Sequence, residues 1–448
     1  MLKETIDKHF ANELDDIARL VAIPSVSRGV PEDGMPLGRE VHNALTCALD
    51  MAKGLGFDNA RSLDGYCGVV DYGEGEEQLL IMTHLDVVPA GAGWTGDPFT
   101  LRRENGRLIG RGVLDDKGAA VASLYALLAV KEAALPMKRR VRLLFGCDEE
   151  RDWACIDRYK RTEPEPDMAF TPDGSYPVVN SEMSIYQCTY HKALTDSGVS
   201  VDCGTAPNVI PGEAEAALSI GTVPVDAAPN GVVLSGCENR LFAKGSGGHA
   251  AHPSDAKNAL QALLYALTEQ PLSDEDMTAA ESLFALFAFD QHGEGFGLDC
   301  ADASGRLTLS PDMLHWDKDG VSVTLDCRYP ACLSLEQLQK TVEEAFAAIG
   351  FTKTYEKNST GHFIPADGEL TKTLLSVYAD ATGKKAEPLS IGGGTYARAF
   401  GNAVAFGVEP ADAEVSECHM PNESVAEEDV RFNTYVMAEA IRRLATKE

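Results

Sequence analysis

Residues 79–118 read LLIMTHLDVVPAGAGWTGDPFTLRRENGRLIGRGVLDDKG, and this stretch decides the fold. The run from Leu79 to Met82 has no polar break, which predicts a fully buried strand. It ends in His84-Leu85-Asp86, where an extended backbone puts the side chains of His84 and Asp86 on one face. Farther on, Gly110-Arg111-Gly112-Val113-Leu114-Asp115-Asp116-Lys117-Gly118 leads into an alanine- and leucine-rich helix from Lys117 to Ala134, ended by Pro136. An imidazole with a carboxylate behind it, and a carboxylate pair at a strand-to-helix turn, are parts of a hydrolytic metal site. The other ligands must come from elsewhere in the chain.

Working outward, helical spacing of Ile6, Phe10, Leu14, Ile17, Leu20 and Val21 predicts a helix over residues 2–22, and a second covers 37–56. A short strand is predicted at 68–71, and further buried strands at 141–145 and 168–170. Strands alternating with helices indicate a doubly wound α/β sheet, in which ligands collect at the carboxyl ends of the strands. Asp148-Glu149-Glu150 and Asp173 fall at such ends, as His84 and Asp86 do. From about Ser181 the pattern changes to strand-like alternation bracketing helices at 256–268, 274–287 and 335–348, an α+β insert. Helical periodicity returns at 367–382, followed by Gly392-Gly393-Gly394-Thr395-Tyr396, a strand at 403–406 and a closing helix at 425–445. The expected organisation is one discontinuous domain, residues 1–181 with 364–448, interrupted by a second, residues 182–363.

Composition narrows the function. A chain of 448 residues with 44% hydrophobic content has ample material for a large core. Its net charge of −30 argues against nucleic acid or an anionic membrane as partner, because both would be repelled. No run approaches the roughly 18 apolar residues of a membrane span, and the first residues lack the pattern of a secretion signal. Eleven scattered cysteines without a CxxC pair favour reduced thiols and a cytoplasmic setting.

His84, Asp115, Glu150 and Asp173 offer nitrogen and oxygen donors at strand ends, and His419 in Cys418-His419-Met420-Pro421-Asn422-Glu423 adds a second imidazole. Two histidines and three carboxylates, one of them shared, suit two divalent ions about 3.5–4 Å apart. Without a thiolate the set favours zinc, with manganese or cobalt as alternatives. Asp86 is placed to accept the second ring N–H of His84. Glu149 can point away from Glu150 toward a water and act as general base. Taken singly, each feature also has an ordinary explanation. Asp115-Asp116 can cap a helix, Asp148-Glu149-Glu150 can be a solvated turn, and Pro172-Asp173-Gly174 is a turn signal. Their coincidence at the ends of strands in one sheet is what favours a site.

The segments HLDVVPAG, GRGVLDDKG, DEE, PDG, GGGTYAR and HMPNE, in this order, resemble the dinuclear zinc peptidase family of carboxypeptidase G, aminoacylase and carnosinase, with the closest likeness to PepV-type bacterial dipeptidases. The resemblance implies a catalytic domain with a mixed sheet flanked by helices, interrupted by an α+β lid. It implies that Asp115 bridges two metals, that His84 and Asp173 complete one site, and that Glu150 and His419 complete the other. Asp86 would orient His84, Glu149 would activate the water, and the Asp115–Asp116 peptide would be cis. In the insert it implies that His249 is an oxyanion donor and that Asn208 and Arg328 bind the substrate carboxylate, a structural salt bridge being the competing account of Arg328. Gly393, Gly394 and Thr395 would offer backbone groups to substrate. The expected activity is hydrolysis of dipeptides by a monomer whose enlarged lid supplies the histidine within one chain. An N-acyl amino acid deacylase and an inactive metal-dependent binding protein are the alternatives. The sequence departs from the family at Arg151-Asp152-Trp153-Ala154-Cys155, where small residues are usual.

Overall fold

The computed structural model describes residues 1–27, 29–225, 227–409 and 418–447. The chain forms two compact units. One comprises Met1–Asn180, Ile364–Leu389 and Gly394–Glu448, and the other Ser181–Phe363 with Ser390–Gly393.

The first unit is built on a mixed sheet in the order Arg61–Leu63, Cys67–Tyr72, Arg140–Gly146, Gln78–His84, Met168–Thr171, Ala403–Ala405 and Val179–Glu182. The four strands from Arg140–Gly146 to Ala403–Ala405 run parallel, and antiparallel strands close both sides. Gln78–His84 is buried along its whole length. Leu79 and Ile81 enter the core beneath the long helices, while Leu80 and Met82 enter a smaller core on the opposite face. That two-sided burial explains why the strand carries an unbroken apolar run.

Lys117–Glu132 is buried at every position up to Val130 because it has no polar face and lies between the sheet and two outer helices, Leu2–Val21 and Glu427–Ala445. Leu2–Val21 buries the six apolar residues whose spacing predicts it, together with Glu13. The closing helix starts at Glu427 rather than at 425, since Ser424–Ala426 pairs as a strand with Arg107–Ile109. A helix at Ala154–Thr162 is not foreseen from the sequence. Its polar composition hides the one turn, Cys155, Ile156 and Tyr159, that packs on the smaller core.

The second unit is an eight-stranded antiparallel sheet in the order Val233–Cys237, Arg240–Lys244, Glu213–Leu218, Val199–Cys203, Thr308–Asp317, Gly320–Tyr329, Ser184–Ala193 and Thr352–Ser359. Helices Ala259–Thr268, Asp274–Phe287 and Leu335–Ala348 share its core. Asn258, Ser273 and Ser334 cap their first turns, the last as a capping box with Gln337.

Candidate metal centre

Sheet register sets the site. Gln78–His84 runs parallel to Arg140–Gly146 with His84 opposite Gly146, and parallel to Met168–Thr171 with Ile81 opposite Phe170. Three neighbouring strands therefore end at one level, and the residues that follow them, Asp86, Glu149, Glu150 and Asp173, collect at a single edge. Gly146 is required there because a Cβ would collide with the Tyr396 ring. That ring lies edge-on to His84, with centroids 6.3 Å apart.

Asp115 stands between two imidazoles. Its Oδ1 is 2.9 Å from His84 Nε2 and its Oδ2 is 2.9 Å from His419 Nε2. Asp173 Oδ2 lies 3.7 Å from His84 Nε2, and Glu150 Oε1 lies 3.2 Å from His419 Nε2. Ligand atoms of His84, Asp115 and Glu150 fall within 4.8 Å of one another, and so do those of His84, Glu149 and Asp173. The Asp115–Asp116 peptide is cis, as the resemblance implies.

Three buried carboxylates hold the backbone of these segments in series. Asp116 Oδ2 accepts the N–H of His84 at 3.0 Å. Asp86 accepts the N–H groups of Glu149 and Glu150 at 3.0 and 3.1 Å. Glu423 Oε1 accepts those of Gly112, Leu114 and Asp115 at 3.0, 2.9 and 3.2 Å. Asp86 also meets the His84 ring. Its main-chain oxygen, not its carboxylate, meets His84 Nδ1 at 2.9 Å, and the carboxylate, 3.7 Å away, is engaged by the two glutamate amides. Asp116 and Glu423 escape sequence reasoning because a buried carboxylate that accepts backbone N–H groups looks, in sequence, like any turn residue. The segment that departs from the family also has a structural part. Trp153, at φ +60°, donates its indole N–H to the Glu149 carbonyl at 2.9 Å and packs edge-on against Tyr396.

The electrostatics of the cluster follow from burial and from the crowding of its carboxylates. Burial, reinforced by the charge of Asp173, pushes the Glu149 carboxyl well above the usual range. Burial and Asp115 raise Asp173 to about 7. Burial opposes protonation of the imidazoles, yet Asp115 and Glu150 lift His419 to about 11, and Asp115 with Asp173 lifts His84 well above its ordinary value. Burial would also raise Asp115, but the rings of His419 and His84 hold it well below the carboxylate range. Buried carboxylates this crowded are stabilised by a bound proton or by a neighbouring positive charge. His84 Nε2, though 2.9 Å from a carboxylate oxygen, is buried without a hydrogen-bond partner among the described residues, as a metal-directed nitrogen would be. The donor set and this orphaned nitrogen fit divalent metal.

The remaining candidates lie partly in the second unit. His249 Nδ1 accepts the N–H of Ala251 at 3.0 Å, which leaves the proton of a neutral ring on Nε2, and that atom faces the Asn208 amide at 3.4 Å. The Arg328 fork faces a carboxylate of its own chain. Nε and Nη2 form a bidentate pair with Asp326 at 2.6 and 3.0 Å, and Nη1 donates to the Gly392 carbonyl at 2.5 Å. Of the two readings of Arg328, carboxylate clamp and structural salt bridge, the ion pair is the one with a partner in view, Asp326, two residues before it in the same strand. Gly393 belongs to the second unit, whereas Gly394 and Thr395 belong to the first. The Thr395 hydroxyl accepts the N–H of Ala397 at 3.1 Å and so caps the short helix Tyr396–Ala399.

Residues 80–443 match the model of peptidase family M20/M25/M40, and the chain belongs to that family. It is 33% identical over 443 residues to a Bacillus subtilis (strain 168) protein named "Putative dipeptidase YtjP", with 92% of each chain covered. It is 32% identical to the Beta-Ala-Xaa dipeptidase of Lactobacillus delbrueckii subsp. lactis, covering 97% of this chain and 96% of that one. The fold is shared with human carnosine dipeptidase 1, at a TM-score of 0.59 and 15% identity over 99% of this chain and 98% of that one. Among the described residues, no helix is long and apolar enough to cross a membrane.

Proposed function

We propose that the chain hydrolyses the peptide bond of dipeptides at a centre for two divalent ions, with Glu149 as general base. The observation that supports this best is the shared carboxylate, one oxygen of Asp115 facing His84 and the other facing His419, each at 2.9 Å. His84, Asp115 and Asp173 would hold one ion, and His419, Asp115 and Glu150 the other, with zinc the best match to these donors and manganese or cobalt next. When bound, such ions would polarise the scissile carbonyl and acidify the attacking water.

Glu149 takes the proton from that water and delivers it to the leaving amine nitrogen as the C–N bond breaks and the hydroxyl joins the carbonyl carbon. Ligand atoms of Glu149, His84 and Asp173 lie within 4.8 Å of one another, which puts the Glu149 carboxylate beside the position such a water would take. Asp86 and Trp153 fix the backbone that carries it. His249 is assigned the oxyanion donor's role through Nε2–H, worth about 10²–10³ in rate, with Asn208 beside it. Gly393, Gly394 and Thr395 are assigned backbone contacts to substrate. The two relatives named as dipeptidases support a dipeptide substrate, and the enlarged second unit supports a self-sufficient monomer.

The test is a substrate panel on metal-stripped protein resupplied with zinc, manganese or cobalt. Ala-Ala and β-Ala-X peptides should be cleaved, and N-acetyl amino acids should not. Preferential cleavage of N-acetyl amino acids would make the protein a deacylase, and no cleavage of either class with metal bound would make it a binding protein.

A further inference from the structure

Arg111 and Glu423 are both buried and paired through Nη1 and Oε2 at 2.7 Å. The pair does more than neutralise charge. Glu423 Oε1 gathers three N–H groups of one loop, ending with that of Asp115. The Glu423 carbonyl accepts the N–H of Gly110 at 3.0 Å. Arg111 Nη2 in turn donates to the carbonyl of His419 at 3.2 Å, and the Trp94 ring lies 5.2 Å from the guanidinium carbon. Two segments, 110–115 and 419–423, are thus laced together at both ends. Each carries one ligand of the same candidate ion. The side chain of His419 is 52% exposed, whereas that of Asp115 is 10% exposed, so the imidazole depends on its backbone for position more than the carboxylate does.

We propose that Glu423, acting through Arg111, is a positioning residue that registers His419 against Asp115 and thereby sets the affinity of the ion between them. The proposal rests on the two-ion reading above. Charge neutralisation alone would need neither three backbone acceptances on one oxygen nor a guanidinium reaching back to His419. The ion between His84, Asp115 and Asp173 draws its other ligands from strand ends outside these two segments, so the two affinities should separate.

The experiment titrates zinc into the metal-free full chain against a chromophoric chelator, for wild type, Glu423→Gln and Arg111→Lys, with Glu13→Gln as a buried-carboxyl control far along the chain. Arg111→Lys keeps a cation for Glu423 but cannot span both Oε2 and the His419 carbonyl, so it carries the test even if Glu423→Gln fails to fold. The wild type and the control should bind two ions. Both lacing variants should bind the first within about threefold of wild type and the second roughly 10–100-fold more weakly, the usual loss when a ligand's support is removed. A merely structural role would lower melting temperature and leave both affinities alone, and wild-type affinity for both ions in Arg111→Lys would overturn the proposal. If the wild type itself binds fewer than two ions, the two-ion reading fails and this inference falls with it.

Discussion

The Asp86 carboxylate accepts the main-chain N–H of Glu149 at 3.0 Å, so the residue two places after His84 holds the proposed base in place. Its other oxygen holds Glu150, and its own carbonyl oxygen meets His84 Nδ1. Asparagine there keeps one acceptor and turns an NH₂ toward the other amide. Asp86→Asn should therefore lower kcat about 10–100-fold with little change in KM. Steady-state kinetics on Ala-Ala check this, and a wild-type kcat would contradict it.

Glu149→Gln removes the base while leaving the backbone contacts that fix the loop. The variant should bind the same number of ions as wild type and lose about 10²–10⁴ in kcat. Metal content by elemental analysis and kcat on the same sample decide it. Retained turnover would remove Glu149 from the role, and lost metal would make it a ligand instead.

Arg328 and Asp326 are 3% and 0% exposed, and each is the other's charge partner. Asp326→Ala leaves a buried guanidinium without a carboxylate, which costs about 3–5 kcal/mol. Denaturant unfolding of Asp326→Ala and Arg328→Lys should show large losses of stability. An Arg328→Lys variant with unchanged stability but a raised KM would instead favour the substrate-clamp reading.

Glu13 is fully buried on the inner face of the helix Leu2–Val21, with Oε1 accepting the Thr434 hydroxyl at 2.5 Å. Burial raises its carboxyl from 4.5 to about 8, against the smaller opposing effects of Thr434 and Arg431. Because the folded-state pKa is the higher one, the protonated form's stability is fully present below 4.5 and is lost as pH rises toward about 8. Stability should fall by up to about 1.4 kcal/mol per pH unit in that window. Glu13→Gln should flatten the curve there, as followed by unfolding at pH 5, 6, 7 and 8. Parallel curves for the two proteins would refute the assignment.

Much of this was legible in the sequence. Unbroken apolar runs mark strands buried on two faces, and the residues after them, His84, Glu149, Glu150 and Asp173, had to fall at one edge once the strands were parallel. The helix Ala154–Thr162 was not legible, because one buried turn in a short, mostly polar segment carries no periodic signal. Nor were the roles of Glu423 and Asp116, and for Arg328 a structural salt bridge could be named but not its partner, Asp326. Their partners are backbone amides or a residue two places away in the same strand, and nothing in residue type distinguishes such a buried acceptor from a solvated turn. Asp86 illustrates the limit: spacing defines its neighbourhood, but only the folded chain shows which of its oxygens meets His84.

The central claim is that Asp115 is shared between two ions. Anomalous diffraction at the zinc edge from crystals of the zinc-loaded protein tests it directly. Two peaks about 3.5–4 Å apart, one on each oxygen of Asp115 and flanked by His84 and His419 respectively, are the result predicted here. A single peak, or peaks that do not touch Asp115, would contradict it.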